Sequence, residues 1–419
     1  GNKVAFVISH QFEVPFGYPD AGLYRRLQFT SDGAHCPDCG FWTAKVHEYH
    51  AKQVVAGSHN GTPIMDSFNH RRFECNVCHC TFMEPLPWLK PYQRITEIGH
   101  EALLHAVADR TFKAVGEAFG RSGQNVRMHV LNHFLDFPGI PERSTPILIG
   151  MDEISLAKGK GKYRFVMYDL SVPWRPQLLL MHESRRKEEV ITLLHQLPHP
   201  EQVIAVAIDM WRGYKTAVEA VLPHAIVVID AFHVIQASTK AMGNVRKQIQ
   251  MSLSKEQRTA LKQDKELFAE HADDLTEEQR ERVKQWENTS PELAQAIRLH
   301  QKLRTLYRCD DLEEALELLV EWEKEVLASS LEPFQELLQT IWNWLPEILN
   351  RFIYRISNAK TEGKNNQVRT MNQQGFGYSL NSIQARMSMK EERDAMTKWR
   401  KYQDRYESRL KQNEQQTAC

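Results

Sequence analysis

The chain has 419 residues, of which 42% are hydrophobic and 25% are charged, a composition typical of a globular protein with about two to four domains. It contains 53 basic and 53 acidic residues, so its net charge of zero gives no reason by itself to expect a nucleic-acid partner. No apolar run approaches the ~18 residues of a membrane span, and the N-terminus lacks a signal-peptide pattern. We therefore expect no membrane contact and a reducing cytoplasmic setting.

Residues 1–88 are predicted to form a zinc-binding module, with residues 1–30 as a lead-in to it. Five of the seven cysteines lie between Cys36 and Cys80, and clustered cysteines in an intracellular protein indicate a metal rather than disulfides. Two Cys-x-x-Cys pairs would place four thiolates around one structural Zn²⁺ in a zinc ribbon. The predicted ligands are Cys36, Cys39, Cys75 and Cys78. His79 or Cys80 could replace a ligand of the second pair, and unmetallated cysteines in a small β module are the alternative interpretation.

Residues 89–140 are predicted to form a helix-turn-helix DNA-binding domain after a proline-rich linker. An apolar stripe that includes Phe112 and Val115 marks its first helix. Gly120 would end this helix, and Ser122 can cap the next one. The second helix would bury its apolar side chains and expose polar ones that can read bases or contact phosphates: Gln124, Asn125, Arg127 and His129. An ordinary helical hairpin is the alternative interpretation.

Residues 141–239 change to short apolar runs that predict buried strands, with a hairpin turn at Gly159–Gly161. The predicted strands cover residues 147–153, 162–171, 177–181, 203–209 and 225–230, with helices over residues 186–197 and 214–222. Three consecutive strands followed by helix, strand, helix and strand is the order of a ribonuclease-H-like sheet. We expect its first three strands to be antiparallel and the last two to join in parallel.

Residues 240–350 contain no strand pattern and are predicted to be an all-helical insertion, with helix starts at Ser254, Thr276 and Ser290. Its tryptophans Trp322, Trp342 and Trp344 are expected in the core. Residues 351–385 would complete the catalytic domain, and residues 386–419 would form a charged helical tail. The predicted fold is therefore a multidomain chain of the mixed α+β or α/β class.

Three acids in this segment are candidate metal ligands. Asp152 and Asp209 would end neighbouring strands, and Glu362 would lie near the start of a helix that packs on the sheet. Carboxylates this close repel each other, and Mg²⁺ or Mn²⁺ would remove the repulsion. Two such ions per active site can promote an in-line displacement at phosphorus without a protein nucleophile. For Asp152 alone, a strand that ends in a solvated acid is the simpler interpretation.

Basic residues cluster in the same part of the chain. A single basic cluster is usually a solvated loop, but several clusters around the candidate acids favour contact with phosphates. The clusters comprise Lys158, Lys160, Lys162 and Arg164, then Arg185, Arg186 and Lys187, and finally Arg351, Arg355, Lys360, Lys364 and Arg369.

These blocks give the chain a resemblance to bacterial insertion-sequence transposases of the ISL-three family over most of its length. CPDCG with RRFECNVC resembles that family's zinc module, and TFKAVGEAFGRSGQNVR resembles its helix-turn-helix. IGMDEIS, AIDMWRGY, VIDAFHV and SNAKTEGKNNQVR are similar, in this order, to its catalytic blocks. Cys80, a third cysteine at the second pair, departs from the family pattern.

The resemblance implies a DDE active site on a ribonuclease-H-like fold, with Asp152, Asp209 and Glu362 as the triad. Asp230 and His233 form an Asp-x-x-His pattern that resembles a motif of several transposase groups, so both are candidate catalytic residues. A structural histidine is the alternative for His233.

The residues and the resemblance together predict a DNA transposase that binds the terminal inverted repeats of an insertion sequence. It would cleave the ends and join the freed 3′ ends to target DNA, working as a homodimer or higher oligomer on double-stranded DNA in the bacterial nucleoid. The alternatives are a domesticated, non-catalytic DNA-binding regulator and a structure-selective nuclease on the same fold.

Overall fold

A computed structural model of the chain describes residues 6–15, 20–136, 147–156, 163–172, 175–309, 311–354 and 361–417. The chain divides into two compact units, one formed by Gly1–Pro138 with Thr370–Cys419 and the other by Gly139–Arg369. Within the described ranges, no helix combines the length and the apolar character that crossing a membrane requires.

The regular elements are numbered here in chain order. The strands are β1 (Phe6–Val14), β2 (Gly22–Phe29), β3 (Ala34–His35), β4 (Trp42–Thr43), β5 (Val46–His59), β6 (Thr62–Glu74), β7 (Thr81–Met83), β8 (Leu148–Ser155), β9 (Tyr163–Asp169), β10 (Gln177–His182), β11 (Ala205–Ile208) and β12 (Ile226–Ile229). The helices are α1 (Glu97–Ala106), α2 (Phe112–Ala118), α3 (Gly123–Asp136), α4 (Lys187–Leu194), α5 (Arg212–Val221), α6 (Ala231–Ile249), α7 (Lys255–Gln263), α8 (Glu277–Thr289), α9 (Pro291–Leu306), α10 (Leu312–Leu327), α11 (Glu332–Asn343), α12 (Leu345–Tyr354), α13 (Thr361–Gln374) and α14 (Leu380–Thr417).

The first unit is built on a sheet of order β1-β2-β6-β5, with β7 paired to β6. The long β5–β6 hairpin turns at Asn60 and Gly61, whose positive φ angles of 48° and 81° suit this residue pair. The expectation of a lead-in over residues 1–30 is wrong, because β1 and β2 are strands of this sheet. Strand β1 is exposed along almost its whole length, so ladder hydrogen bonds rather than an apolar pattern define it.

The helices of the first unit pack against α14. Val115, Phe119 and Val130 share one buried cluster with Ala385 and Met389 of that helix. The prediction of a charged tail from residue 386 is therefore wrong for its first turns. Arg386 is fully buried, and its Nε and Nη2 donate to the backbone oxygens of Val107 and Arg110 at 2.9 Å each.

The second unit contains a sheet of order β10-β9-β8-β11-β12, which joins the predicted antiparallel strands to the predicted parallel pair. Strand β9 is antiparallel to both of its neighbours, β8 and β10, whereas β11 runs parallel to both β8 and β12. Helices α4 and α5 lie near their predicted positions, while the predicted Gly159–Gly161 turn lies outside the described residues. The buried faces of the sheet are apolar, for example Ile149, Met167 and Val206.

The predicted insertion is helical from α6 to α12. Ser254 and Thr276 cap α7 and α8 in capping boxes, and Ser290 caps α9 with Pro291 at its first position, as expected. Trp322 and Trp344 are buried as predicted, but Trp342 is 42% exposed. Trp342 lies near the C-terminal end of α11, and the apolar face of that helix is formed by other residues, such as Leu338 and Ile341.

Candidate functional site

The four predicted zinc ligands come together in the first unit. The Sγ atoms of Cys36, Cys39, Cys75 and Cys78 all lie within 4.8 Å of one another. Both Cys-x-x-Cys pairs form the same kind of turn, in which the backbone nitrogen after the second cysteine donates to the oxygen of the first. Gly40 N donates to Cys36 O at 3.0 Å, and His79 N donates to Cys75 O at 3.1 Å. The positive φ angles of Gly40 (74°) and His79 (59°) allow this turn. Four converging thiolates, two of them buried, fit a structural Zn²⁺.

Cys80 adds a fifth thiol to this centre. Its Sγ lies 3.2 Å from that of Cys36 and 3.4 Å from that of Cys78. A second cluster of potential ligand atoms, formed by Asp38, Cys78 and Cys80, adjoins the first. The His79 imidazole is 77% exposed and faces Glu74 at 4.0 Å. Of the two alternative ligands predicted from the sequence, only Cys80 is therefore close enough to compete.

The two helices of the predicted helix-turn-helix, and the turn between them, form near the predicted positions. Thr111 caps α2, Gly120 ends the turn with φ of 62°, and the Ser122 hydroxyl accepts from Asn125 N at 3.1 Å. Helix α3 buries Val126 and Val130 completely.

The predicted exposure of the polar face of α3 is only partly correct. Gln124 is exposed, but Asn125, Arg127 and His129 are half-buried. Arg127 Nε donates to Ser382 Oγ at 2.9 Å, because α14 packs along this side of α3. Asn125 Oδ1 accepts from Arg121 Nη1 at 3.0 Å.

A groove of about 650 Å³ lies between β5, the segment before α1 and the α2–α3 turn. Its basic lining residues are Lys52, Arg94 and Arg121, and no acidic residue in the described ranges lines it. Arg121 Nη2 donates to Arg94 O at 2.6 Å. A groove with three cations and no acid attracts anions such as the phosphates of DNA.

Three aspartates lie at one level of the sheet in the second unit. Gly150 pairs with Ala207 and Ile208 pairs with Ile229, so the continued registers place Asp152, Asp209 and Asp230 side by side. Adjacent parallel strands are about 4.8 Å apart, and these carboxylates follow the carboxyl ends of the parallel pairing. Asp152 does not end its strand as predicted, because β8 continues to Ser155 along β9.

Burial dominates the electrostatics of these aspartates. It raises the pKa of Asp209 to about 6 and also raises the pKa of Asp152 and Asp230. His233, in the first turn of α6, opposes the effect, and its Nε2 lies 3.8 Å from Asp152 Oδ1. The buried Oδ1 of Asp209 has no hydrogen-bond partner among the described residues. Crowded, buried carboxylates with an unused oxygen fit divalent-cation ligands.

Glu362 lies in the first turn of α13, as predicted, and lines a cavity of about 330 Å³ together with Asp152 and Asp230. Its Oε1 accepts from Arg369 Nη1 at 2.8 Å. Asp209 does not line this cavity, and the three triad carboxylates, all in the described ranges, do not come within 4.8 Å of one another. Asp152 and Glu362 therefore line one cavity, and Asp209 follows β11, the strand next to the one that carries Asp152.

Asn365 is a site residue that the sequence did not reveal. It is fully buried, its Nδ2 donates to Asp152 Oδ2 at 2.8 Å, and its Oδ1 accepts from Tyr168 OH at 2.6 Å. The bridge spans 213 positions of the chain, so no local pattern signals it. Asn365 lies three residues after Glu362 and thereby fixes the start of α13 against β8.

Only one of the predicted DNA-contacting lysines, Lys364, lies within the described residues. Lys158, Lys160 and Lys162 lie outside the described residues, as do Arg355 and Lys360. Lys364 lies on α13, two residues after Glu362, and is partly exposed. In the second basic cluster, Arg185 pairs with Glu153 and lies over the Trp211 ring at 5.4 Å from its centroid.

Asp209→Asn should stabilise the metal-free protein at neutral pH. The pKa of Asp209 is raised to about 6 in the folded chain, so the folded state binds its proton more tightly than the unfolded state. The contribution of the Asp209 proton to the free energy of unfolding is therefore fully present below about pH 4. It is lost as the pH rises through about 6, which lowers the stability by up to about 3 kcal/mol. In EDTA, thermal melts should show the variant above the wild type at pH 7.5 and equal to it near pH 4. A wild type that melts higher at pH 7.5 would contradict the predicted burial cost.

Asn365→Ala should weaken Mn²⁺ binding about 10–100-fold, the usual effect of losing a hydrogen bond that orients a candidate metal ligand, here Asp152. The loss leaves Asp152 Oδ2 and the Tyr168 hydroxyl without this partner, so the protein should also lose about 1–3 kcal/mol of stability. Titration with Mn²⁺ and melting temperatures measure the two effects. Gln367→Ala, an exposed change on the same helix, is the control and should leave both unchanged.

Comparison with known proteins agrees with this class of site. The family model of the ISL-three DDE transposases, described as a transposase, matches residues 149–387, which include all three triad candidates. The chain therefore belongs to this transposase family. It is also 25% identical, over 370 residues, to the transposase for insertion sequence element IS1001 of Bordetella parapertussis, which covers 86% of this chain and 89% of the relative.

Proposed function

We propose that this transposase cuts and joins DNA at Asp152, Asp209 and Glu362, which would hold two Mg²⁺ or Mn²⁺ ions on a ribonuclease-H-like domain. Bound there, such ions supply activation of the attacking water or 3′-hydroxyl and stabilisation of the leaving oxygen. The observation that carries the proposal is the shared level of Asp152, Asp209 and Asp230, directly after the residues at which the parallel pairing of their strands stops.

The chain's own residues orient the ligands in this proposal. Asn365 holds one oxygen of Asp152, while Asp209 offers an oxygen with no partner among the described residues. Asp230 caps α6, and His233 on that helix places its imidazole beside the aspartates. We assign Asp230 and His233 to bracing the acids, and contact of His233 with the DNA strand is the other role open to it.

We further propose that the first unit recognises the terminal inverted repeats. The exposed Gln124 would reach base edges, whereas Arg127 and Asn125 would position α3 through their contacts with α14 and Arg121. The basic groove beside the α2–α3 turn supports backbone contact there. Lys158, Lys160, Lys162 and Lys364 are proposed phosphate contacts at the catalytic domain.

Two ends must be cut together, so at least two copies of the chain would act on one DNA complex, in the cytoplasm where the nucleoid lies. The domain boundaries predicted at residues 88, 140, 239, 350 and 385 belong to the same proposal. The zinc-binding module and the helix-turn-helix would hold the ends, while the helical insertion and the tail would support assembly.

The test uses purified protein, a duplex that carries one end of the element, and a supercoiled target plasmid. With Mg²⁺ or Mn²⁺ we expect end binding, cutting at the element boundary and joining of the 3′ end to the plasmid. EDTA should abolish cutting and joining but not binding. A non-catalytic regulator would bind and never cut, and a structure-selective nuclease would cut without joining, so either result would overturn the proposal.

A further inference from the structure

The cavity that holds Asp152, Asp230 and Glu362 is also lined by arginines that the cutting chemistry does not use. They are Arg304 near the end of α9, Arg308 just after it, and Arg351 on α12. Arg304 and Arg308 belong to the helical insertion, and Arg351 lies one residue beyond the predicted end of that insertion. At about 330 Å³ the cavity falls in the range of about 300–1,000 Å³ found for small-ligand sites, and it is too small to admit a duplex.

Arg351 is the most informative of these residues. Its Nη1 is buried and has no hydrogen-bond partner in the described part of the chain, and the same is true of the Tyr307 hydroxyl. The Arg351 guanidinium lies over the Tyr307 ring, 5.6 Å from its centroid, and that ring stacks on Phe352 at 5.9 Å. The aromatic layer holds the guanidinium in place while two polar groups are left to bind a ligand.

The other two arginines are held in place by hydrogen bonds to residues that do not line the cavity. Arg304 Nη1 donates to Ala269 O at 2.7 Å. Arg308 donates to Asp273 at 3.3 Å and to Asp274 at 2.8 Å, and its side chain is 46% exposed. Fixed guanidinium groups lose little conformational entropy when they bind, and their planar donors match phosphate oxygens.

We propose that Arg351, Tyr307 and Arg308 bind a backbone phosphate of a single DNA strand next to the phosphate that the acids would attack. A strand suits this cavity better than a free anion. Asp152, Asp230 and Glu362 line the same cavity and repel a free anion. In a DNA strand the backbone links the attacked phosphate to the next one, so the next phosphate would be held near the arginines in spite of this repulsion. The inference rests on the proposed function only in taking these acids as the cutting site.

The test measures binding of the full chain to a fluorescent thymidylate strand of about 12 nucleotides, by anisotropy at several salt concentrations. Arg351→Gln should weaken binding about tenfold, the size of one charge-assisted hydrogen bond. It should also reduce the slope of log affinity against log salt by about 0.7, the value for one phosphate of a single strand. Tyr307→Phe should weaken binding about threefold with no change in slope.

Arg298→Gln is the matched control, because Arg298 lies on α9 with an exposed side chain paired to Glu325 and does not line the cavity. It should bind the strand like the wild type. If Arg351→Gln lowers the melting temperature relative to this control, the exposed Arg308→Gln gives the same readout without a buried change. Wild-type affinity and slope in the folded arginine variants would overturn the proposal.

The outcome is independent of the cutting chemistry, because the assay needs binding alone. Failure of the proposed function would appear as undiminished cutting by triad variants. Failure of the phosphate site would appear as undiminished strand binding by Arg351→Gln and Arg308→Gln.

Discussion

Asp209→Asn should abolish DNA cutting while leaving DNA binding unchanged. The change keeps the shape of the side chain but removes the negative charge that a divalent cation requires. Because metal ligation contributes several kcal/mol of transition-state stabilisation, we expect the cutting rate to fall at least about a thousandfold. Gel-based cutting and binding assays on the same end-containing duplex measure both quantities. Titration with Mn²⁺ should show weaker metal binding in the variant.

Glu201→Gln provides the matched control for this prediction. Glu201 is an exposed acid just before β11, at the opposite end of that strand from Asp209. Its replacement should leave cutting, binding and Mn²⁺ affinity at wild-type values. Full cutting activity in Asp209→Asn would exclude this residue from the triad and would leave Asp152, Asp230 and Glu362 as the acids to test.

Replacing Cys36 and Cys39 together by Ser should remove about one zinc per chain and with it the DNA binding of the first unit. The two residues supply half of a four-thiolate centre, and structural zinc sites contribute roughly 10–16 kcal/mol of binding free energy at neutral pH. Elemental analysis, melting temperature and end binding measure the three consequences. Unchanged zinc content would contradict the ligand assignment.

Two single variants sharpen this result. Cys309→Ser changes a partly buried thiol of the helical insertion and should keep the zinc. Cys80 lies close enough to Cys36 to replace Cys78 as the fourth zinc ligand, and Cys80→Ser tests this alternative. Zinc retained in the variant identifies Cys78 as the ligand, whereas zinc lost identifies Cys80.

The sheet of the second unit could be predicted because its central strands contain buried apolar runs that are followed by acids. The runs before Asp152, Asp209 and Asp230 gave their positions, and the strand order followed from the chain order. The exact end of β8 could not be predicted from the sequence. One edge of β8 pairs with β11 only as far as Gly150, while its other edge pairs with β9 as far as Ser155. One strand therefore has two different ends on its two sides.

Long-range polar contacts account for most of what the sequence could not provide. Asn365 reaches Asp152 across the helical insertion, and Arg127 is covered by a helix from the far end of the chain. Neither contact alters the hydrophobic period of its own helix, which is the signal that sequence patterns carry. Strand β1 was missed for a related reason, because an exposed strand held by its backbone shows no buried face.

The burial of Arg386 has a consequence for how the protein is made. Helix α14 completes the core around α1, α2 and α3, yet it is synthesised some 250 residues after them. During translation the apolar faces of these helices have no permanent cover until α14 leaves the ribosome. A prematurely terminated chain would therefore lack a finished core in the first unit, the unit that we propose recognises the ends of the element.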